Sequence, residues 1–325
     1  MSAMDLQTGS ALGVGFGCSA LLGRSGRRES LQALEVAWDE GIRVFDVARA
    51  YGYGEAESLL GEFLQGKKGE AVVATKFGIV PSRNAPWKQA AKVMARKVAG
   101  VLPGSRKLLQ KAAKTQFVAG QFSVEILQQS IETSLKKLRV EAVDILFLHD
   151  APAEVLEDAA LLAELADLEK AGKIRRSGIS SQPEVIAKLL KAPREPLRAM
   201  QFPCNVFDLS ASRLELLSGE KPFLMANHPF GGVARASECR RRIQRLASSP
   251  ELDKELREKL SPIDDALMAE VVLNVIGKGT GIDVVIPAMM HPAHIRANVA
   301  AVRKCRFTDA EIQKLREALS VESTK

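Results

Sequence analysis

The sequence predicts an α/β protein that folds as a (β/α)8 barrel, also called a TIM barrel. Short runs rich in Val, Ile and Leu alternate with amphipathic helical stretches along the 325 residues, a pattern typical of a parallel sheet buried on both faces. About eight such units in roughly 250 core residues match the size of this barrel. A doubly wound open sheet would need a GxGxxG motif at the first turn, and the segment GVGFGCSALLG fits that motif poorly. We therefore predict a single barrel domain over residues 1–325.

The first half of the chain supplies four predicted strands. An apolar, glycine-containing run suits a buried first strand, and Gly41 caps the helix that follows it. The second apolar run is followed by a glycine-rich turn, after which Glu55 opens another helix, and Ser123 begins the next. These predicted elements are strands at 11–16, 44–46, 70–76 and 143–148, and helices at 28–40, from 55 and from 123.

The second half repeats the alternation four more times, with the turn 171–173 (AGK) separating a helix from the fifth strand. The predicted strands lie at 174–179, 199–202, 223–226 and 284–287. The predicted helices pass through 165–168 and cover 183–190, 210–217, 264–277, 292–302 and 308–319. The last helix is an addition to the eight-fold barrel pattern.

Two insertions interrupt this alternation, at 79–121 after the third strand and at 234–261 after the seventh. The first insertion is strongly basic, because no acidic residue lies between Glu70 and Glu125. The ten basic residues between Glu70 and Glu125 are Lys76, Arg83, Lys88, Lys92, Arg96, Lys97, Arg106, Lys107, Lys111 and Lys114. We interpret it as a solvated lid of two short helices; a gate that attracts anionic substrates and a helix that touches an acidic membrane or a partner are the alternatives.

Composition excludes several classes of protein. The four cysteines form no CxxC pair, so we expect neither a zinc site nor a disulfide framework. No apolar run approaches the roughly 20 residues that span a bilayer, and the N-terminus has no basic, apolar leader. The basic stretch shows no motif in which aromatic residues alternate with basic ones for base stacking, which argues against nucleic-acid binding. We expect a cytoplasmic protein without a transmembrane segment; the sequence leaves its oligomeric state open, with a monomer as one option.

Polar residues follow the apolar runs at the point where each predicted strand ends. The carboxyl ends of the strands carry the active site in this fold, so we expect these side chains to meet at one mouth although they are far apart in sequence. They are Asp46, Lys76, His149-Asp150, Ser180-Ser181, Gln201 and His228. Tyr51, on the turn after Asp46, is placed to lean over them.

This set of residues suits the reduction of a carbonyl group. A phenol with an ordinary pKa near 10 is a weak acid at neutral pH, and a neighbouring ammonium, Lys76 held by Asp46, would lower that pKa. His149 would bind or protonate the substrate oxygen. Because no side chain supplies a hydride, a cofactor must. Taken singly, Asp46 also suits a helix cap, Lys76 a structural strand end and His149 a buried histidine.

The segment GIRVFDVARAYGYGEAESLLGEFL resembles a signature of the aldo-keto reductase family. The segments VVATKFG, SLKKLRVEAVDILFLHD, EKAGKIRRSGISS, MQFPCNVFD and VVIPAMMHPAHIRANV are similar to further family blocks, in the family's order. The resemblance implies that Asp46, Tyr51, Lys76 and His149 are catalytic, with Tyr51 as the general acid. It also implies NADPH, or less often NADH, extended across the barrel mouth, with the nicotinamide amide held by Ser180, Ser181 and Gln201.

The departures from the family pattern concern the cofactor. Ser181 replaces the usual Asn, and Asn227 replaces the aromatic residue that stacks on the nicotinamide, with His228 or Phe230 as possible replacements for that ring. Ala288, Met289 and Met290 stand where the family grips the 2′-phosphate; His291 and His294 are the nearest substitutes, and the adenine-contacting pair keeps only Asn298. Methionine cannot replace an arginine clamp. We therefore expect either NADH use, or weakened NADPH binding through Arg296 or the basic insertion.

Three functions follow from this sequence. The first is an NAD(P)H-dependent oxidoreductase that reduces an aldehyde or ketone, or oxidises the matching alcohol or sugar. The second is a regulatory or weakly active protein on the same barrel that binds the nucleotide as a signal. The third is a Schiff-base aldolase or isomerase that uses Lys76, since barrels host many chemistries.

Overall fold

The structure is a computed structural model that describes residues 12–23, 25–67, 69–81, 117–209, 220–232 and 235–322. The predicted helix at 210–217 and nearly all of the basic insertion lie outside these residues. Within them, no helix is both long enough and apolar enough to cross a bilayer.

The strands form a parallel sheet that curls into a barrel, which confirms the predicted fold class. In chain order the strands are β1 (Gly13–Val14), β2 (Phe16–Gly17), β3 (Val44–Asp46), β4 (Val72–Phe77), β5 (Val80–Pro81), β6 (Phe117–Val118), β7 (Val143–His149), β8 (Ile174–Ser180), β9 (Leu197–Pro203), β10 (Phe223–Asn227) and β11 (Val284–Ile286). The order across the sheet is β1-β11-β10-β9-β8-β7-β4-β3-β2, with parallel pairing between all of these neighbours. The small antiparallel pair β5–β6 stands apart, at the base of the basic insertion.

The barrel closes through the first strand, which is bent rather than continuous. β1 pairs with β11 and β2 pairs with β3, so the two halves join the edges of the sheet on either side of Gly15. A Cβ atom at Gly15 would lie 2.2 Å from Cδ1 of Ile286, so only glycine allows the last strand to pack this closely. The sequence prediction of one strand over 11–16 missed this break.

Helices surround the barrel and follow the predicted order. They are α1 (Arg27–Asp39), α2 (Ala56–Phe63), α3 (Val124–Leu138), α4 (Ala159–Lys170), α5 (Pro183–Lys191), α6 (Ala236–Ala247), α7 (Lys254–Lys259), α8 (Asp265–Gly277), α9 (Pro292–Arg303) and α10 (Asp309–Glu322). Helices α6 and α7 occupy the second predicted insertion. Helix α6 is anchored by buried Cys239, Ile243 and Leu246, while its other face carries arginines.

Two apolar layers result from the alternation of side chains along the strands. The larger layer lies between the strands and the helices. The smaller cluster fills the barrel interior and consists of Val44, Val72, Ala74, Ile145, Phe147, Ala199, Phe223, Met225, Val284 and Ile286. Two positions beyond an interior residue, the next inward side chain on several strands is polar, so the strands deliver polar groups to the carboxyl-terminal mouth of the barrel.

Candidate active site

A buried ion pair lies at the centre of the barrel mouth. Lys76 follows the interior residue Ala74 by two positions, and Asp46 follows Val44 in the same way on the neighbouring strand. The two side chains are 1% and 6% exposed, and Lys76 Nζ lies 2.5 Å from Asp46 Oδ1. Lys76 also donates to the backbone carbonyl of Val47, at 3.1 Å. These contacts fix the ammonium at the end of β4.

A hydrogen-bonded chain on the other side orients Asp46. Gln201 Nε2 donates to Asp46 Oδ1 at 2.9 Å, and Ser180 Oγ donates to Gln201 Oε1 at 2.9 Å. Both Gln201 and Ser180 are buried. The Gln201 amide accepts from Ser180 through its oxygen and donates to Asp46 through its nitrogen, so its orientation is fixed. The Asp46 carboxylate is the final acceptor of this chain.

The turn after β3 brings Tyr51 over the ion pair. Residues Tyr51–Gly54 form a short 3₁₀ turn in which Gly52 and Tyr53 adopt left-handed backbone conformations, with φ of 57° and 61°. A Cβ atom at Gly52 would lie 3.0 Å from the Leu21 carbonyl oxygen, so glycine is required for this tight path. Lys76 Nζ lies 5.0 Å from the centre of the Tyr51 ring. The Tyr51 ring meets the His149 ring edge-on, with centroids 6.0 Å apart and an interplanar angle of 85°.

The pKa of Tyr51 differs from the value expected from the sequence. Burial raises it to about 12; the nearby Lys76 ammonium lowers it, but not enough to offset burial, and Asp46 raises it further. The Lys76 ammonium thus lowers the pKa of the phenol as predicted, but burial outweighs it, and the net pKa in the free protein lies above the ordinary value. Tyr51 keeps its proton over the whole physiological range.

The neighbouring groups are tuned in opposite directions. Burial alone would lower the pKa of Lys76, but the Asp46 carboxylate and the Tyr51 phenol together outweigh it, so the net pKa is raised and the side chain stays an ammonium. Burial, and then the charge of Lys76, lower the pKa of His149 to about 3. His149 is therefore a neutral imidazole at neutral pH, which favours hydrogen bonding to a substrate oxygen over the protonation that the sequence left open.

A pocket opens beside this centre. Its volume is about 460 Å³, and it is lined by Asp46 and Tyr51 and by residues from the segments that follow β10 and β11. Gly17 of the bent first strand also lines it, whereas Lys76 and His149 are not among its lining residues.

The predicted cofactor residues divide into two groups. Asn227 and Asn298 line the pocket, together with His228, Phe230 and Ala297. Asn227 Oδ1 is buried and has no hydrogen-bond partner among the described residues. His228 and Phe230 thus lie where an aromatic face can replace the ring that Asn227 lacks.

The other predicted cofactor residues, Ser180, Ser181 and Gln201, are buried beside the pocket. Ser181 Oγ donates to the Ala151 carbonyl at 2.6 Å. Ser180 and Gln201 belong to the chain that ends at Asp46. Each serine hydroxyl already donates its single hydrogen within the protein, so toward a ligand it acts only as a hydrogen-bond acceptor.

The chain matches a protein-family model, curated relatives and solved structures. The family model described as "Aldo/keto reductase family" matches residues 13–320. The chain belongs to the aldo/keto reductase family. That match covers every strand of the barrel and all of the site described above.

Among curated relatives, the chain is 33% identical to D-threo-aldose 1-dehydrogenase of Pseudomonas sp. over 171 residues, covering 51% of this chain and 47% of that protein. It is 27% identical to aldo-keto reductase YhdN of Bacillus subtilis over 190 residues, covering 57% and 46%. The alignments thus span about half the length of these two relatives. Pyridoxal 4-dehydrogenase of Microbacterium luteolum is 27% identical over 240 residues, covering 67% and 63%.

Solved structures of the family share the fold. An aldo-keto reductase of Bacillus halodurans in its holo form superposes with a TM-score of 0.65 at 22% identity, covering 94% of this chain and 91% of that one. An aldo-keto reductase of Klebsiella pneumoniae in complex with NADPH gives a TM-score of 0.62 at 19% identity, covering 94% and 90%.

The far end of the pocket of this aldo/keto reductase contains charged residues that sequence reasoning did not select. Arg240 from α6 and Asp265 from α8 line it, together with His294 from α9. Arg296, which the sequence suggested as a phosphate ligand, is not among the pocket-lining residues and instead pairs with Glu40, with Nε 3.2 Å from Oε1. Helix α6 begins at the pocket, and Arg240 follows the buried residue Cys239 on it. This position next to a buried residue is the signal by which the sequence could have indicated Arg240. Within the described residues, no cluster of three or more His, Cys, Asp or Glu is arranged to hold a metal ion.

Proposed function

We propose that this protein catalyses nicotinamide-dependent reduction of an aldehyde or ketone, or the reverse oxidation of an alcohol or sugar. The observation that carries the proposal is the buried Lys76–Asp46 ion pair, held 2.5 Å apart beneath a protonated Tyr51 and beside a neutral His149. Three groups of different acidity, Lys76, Tyr51 and His149, thus lie together, and Tyr51 and Asp46 line the pocket. A carbonyl oxygen placed there meets one proton donor and one neutral hydrogen-bonding ring.

Tyr51 is the proton donor in this proposal. The alkoxide that forms on reduction is a base comparable to hydroxide, and therefore a much stronger base than a phenolate. A phenol with a pKa of about 12 therefore gives up its proton favourably. The Lys76 ammonium then stabilises the phenolate, and Asp46 keeps Lys76 charged.

His149 positions the substrate oxygen. With a pKa of about 3 it cannot act as a proton donor at neutral pH. A neutral imidazole instead donates one hydrogen bond to the carbonyl oxygen and gains strength as negative charge develops there. Its edge-on packing against Tyr51 keeps the imidazole beside the phenol, with ring centroids 6.0 Å apart.

The pocket suits a dinucleotide on two counts. Its volume of about 460 Å³ lies within the range of cofactor sites. Asn227 Oδ1 is a buried acceptor without a hydrogen-bond donor among the described residues, and Asn227 lines the same pocket as Asp46 and Tyr51. Asn227, His228, Phe230 and Asn298 are the residues that would hold it, and a reduced nicotinamide would supply the hydride that no side chain can provide.

A Schiff-base role for Lys76 fits the site less well. A nucleophilic lysine must lose its proton, and desolvation usually lowers its pKa for that purpose. Here the ion pair with Asp46 raises the pKa of Lys76 instead. Trapping a substrate on Lys76 with borohydride would reverse this preference.

The test is a cofactor-oxidation assay with NADH and NADPH against a panel of aldehydes, ketones and sugars. We expect turnover in the wild-type protein and a loss of at least about a hundredfold in kcat for Tyr51→Phe, which keeps the ring but removes the proton. Tyr53→Phe is the matched control, because it removes the neighbouring phenol of the same turn. Cofactor binding without any turnover on the panel would favour the regulatory alternative and contradict the proposal.

A further inference from the structure

Three side chains from different helices form a charged cluster at the end of the pocket remote from Tyr51. Arg240 Nη1 donates to the Ile263 carbonyl at 2.6 Å, and its Nη2 pairs with Asp265 Oδ1. The other carboxylate oxygen of Asp265 lies 3.4 Å from His294 Nε2. Asp265 therefore stands between the two basic groups and engages both.

This cluster presents a carboxylate, and an arginine that is already paired, to a ligand in the pocket. Both arms of the Arg240 guanidinium are already engaged, and its side chain is 33% exposed. Asp265 is 54% exposed and lines the pocket. Among the described lining residues, Asp46 is the other carboxylate, and it is occupied by Lys76 at the opposite end.

The position of the cluster matters if the proposed function holds, on which this inference rests. The hydride donor must then lie at the inner end, beside Tyr51, so the adenosine half of the dinucleotide extends toward the outer end. There the two nicotinamide cofactors differ in one group, which is a ribose 2′-hydroxyl in NAD(H) and a 2′-phosphate in NADP(H). A carboxylate accepts a hydrogen bond from the hydroxyl, whereas a phosphate ester with a charge of about −1.5 to −2 is repelled by it.

We propose that Asp265 makes this protein select NAD(H) over NADP(H). Asp265 acts in two ways, by accepting a hydrogen bond from the ribose 2′-hydroxyl and by keeping Arg240 paired so that it is not free to clamp a phosphate. Arg296 does not offer an alternative clamp, because it lies outside the pocket lining and pairs with Glu40. Met289 and Met290, which stand where the family grips the 2′-phosphate, provide no charge.

The proposal is tested by titration calorimetry of NADH and NADPH into the full-length protein, which needs no turnover. We expect wild-type protein to bind NADH at least about tenfold more tightly than NADPH, which corresponds to about 1.4 kcal/mol. Asp265→Asn keeps the shape but removes the charge and releases Arg240, so the NADH-to-NADPH affinity ratio should fall by about tenfold or more. Adding Arg240→Gln to Asp265→Asn should abolish that gain in NADPH affinity.

Two control variants remove similar charges elsewhere. Arg241→Gln changes the next residue of α6, which pairs with Glu238 outside the pocket lining. Asp309→Asn removes a carboxylate at the start of α10 that pairs with Lys278. Both should leave the affinity ratio within about twofold of the wild type, and a change as large as that of Asp265→Asn would assign the effect to overall charge and overturn the proposal.

The outcomes separate this inference from the proposed function. Equal or tighter NADPH binding by the wild type, or an unchanged ratio in Asp265→Asn, overturns the role of Asp265 while leaving carbonyl reduction intact. Failure of the wild type to bind either dinucleotide overturns the proposed function and this inference together. A preference for NADH that disappears in Asp265→Asn supports both.

Discussion

Removing one partner of the buried ion pair should destabilise the protein far more than removing both. Lys76→Met keeps the approximate length of the side chain but leaves the Asp46 carboxylate, 6% exposed, with Gln201 Nε2 as its remaining hydrogen-bond donor. At 2.5 Å and an effective dielectric constant of about 20, the lost attraction is about 7 kcal/mol. The wild-type ion pair also carries the cost of desolvating the Lys76 ammonium, which the variant avoids. The net loss in free energy of unfolding is therefore about 3–5 kcal/mol.

The assay is guanidinium unfolding followed by circular dichroism, at pH 7, for the wild type, Lys76→Met and the double variant Asp46→Leu/Lys76→Met. We expect the double variant to lie within about 2 kcal/mol of the wild type, because no buried charge is left unpaired and the residual cost is the unpaired Gln201 amide. It should nevertheless be inactive. A loss below 1 kcal/mol for Lys76→Met at pH 7, or a double variant less stable than the single one, would refute the reasoning.

Two further predictions follow from the shifted pKa values. For His149, the folded pKa of about 3 lies below the ordinary 6.5, so the unfolded chain binds more protons below pH 6.5 and the free energy of unfolding falls as the pH drops. His149 should contribute about 2 kcal/mol to the loss between pH 7 and pH 5. In unfolding experiments His149→Asn should therefore lose that much less than the wild type, whereas equal losses would contradict the low pKa. For Tyr51, the chain has only two tyrosines, so in Tyr53→Phe the phenolate absorbance reports Tyr51 alone; with a pKa of about 12, about a tenth of it should have ionised at pH 11, and a midpoint below pH 10 would show that Lys76 dominates after all.

The strand ends could be predicted from sequence because their physics is local. A parallel strand buried on both faces reads as an apolar run, and its last inward position is two residues beyond an interior side chain. Asp46, Lys76 and His149 obey this spacing after Val44, Ala74 and Phe147. The barrel then brings them together at one mouth, so the periodicity of two and the fold class were enough to bring these residues into one candidate site.

The rest depends on contacts between distant segments. The break at Gly15 exists because the Ile286 side chain needs its space, and no local pattern around residue 15 records that contact. The pKa of Tyr51 was misjudged because burial, a tertiary property, exceeds the effect of the neighbouring charge. Asp265 and Arg240 meet 25 residues apart in sequence, between an inserted helix and a barrel helix, so neither the family blocks nor the strand ends point to them.

The most direct measurement of the central claim follows the hydride itself. Wild-type protein is incubated with a reduced nicotinamide cofactor carrying deuterium at the transferring position of the ring and with an aldehyde that it turns over, and the alcohol product is analysed by mass spectrometry. We predict one deuterium on the carbinol carbon of the product, with Tyr51→Phe forming the same labelled product at a rate lower by at least about a hundredfold. Alcohol without deuterium, or labelled alcohol formed equally fast by Tyr51→Phe, would contradict the account.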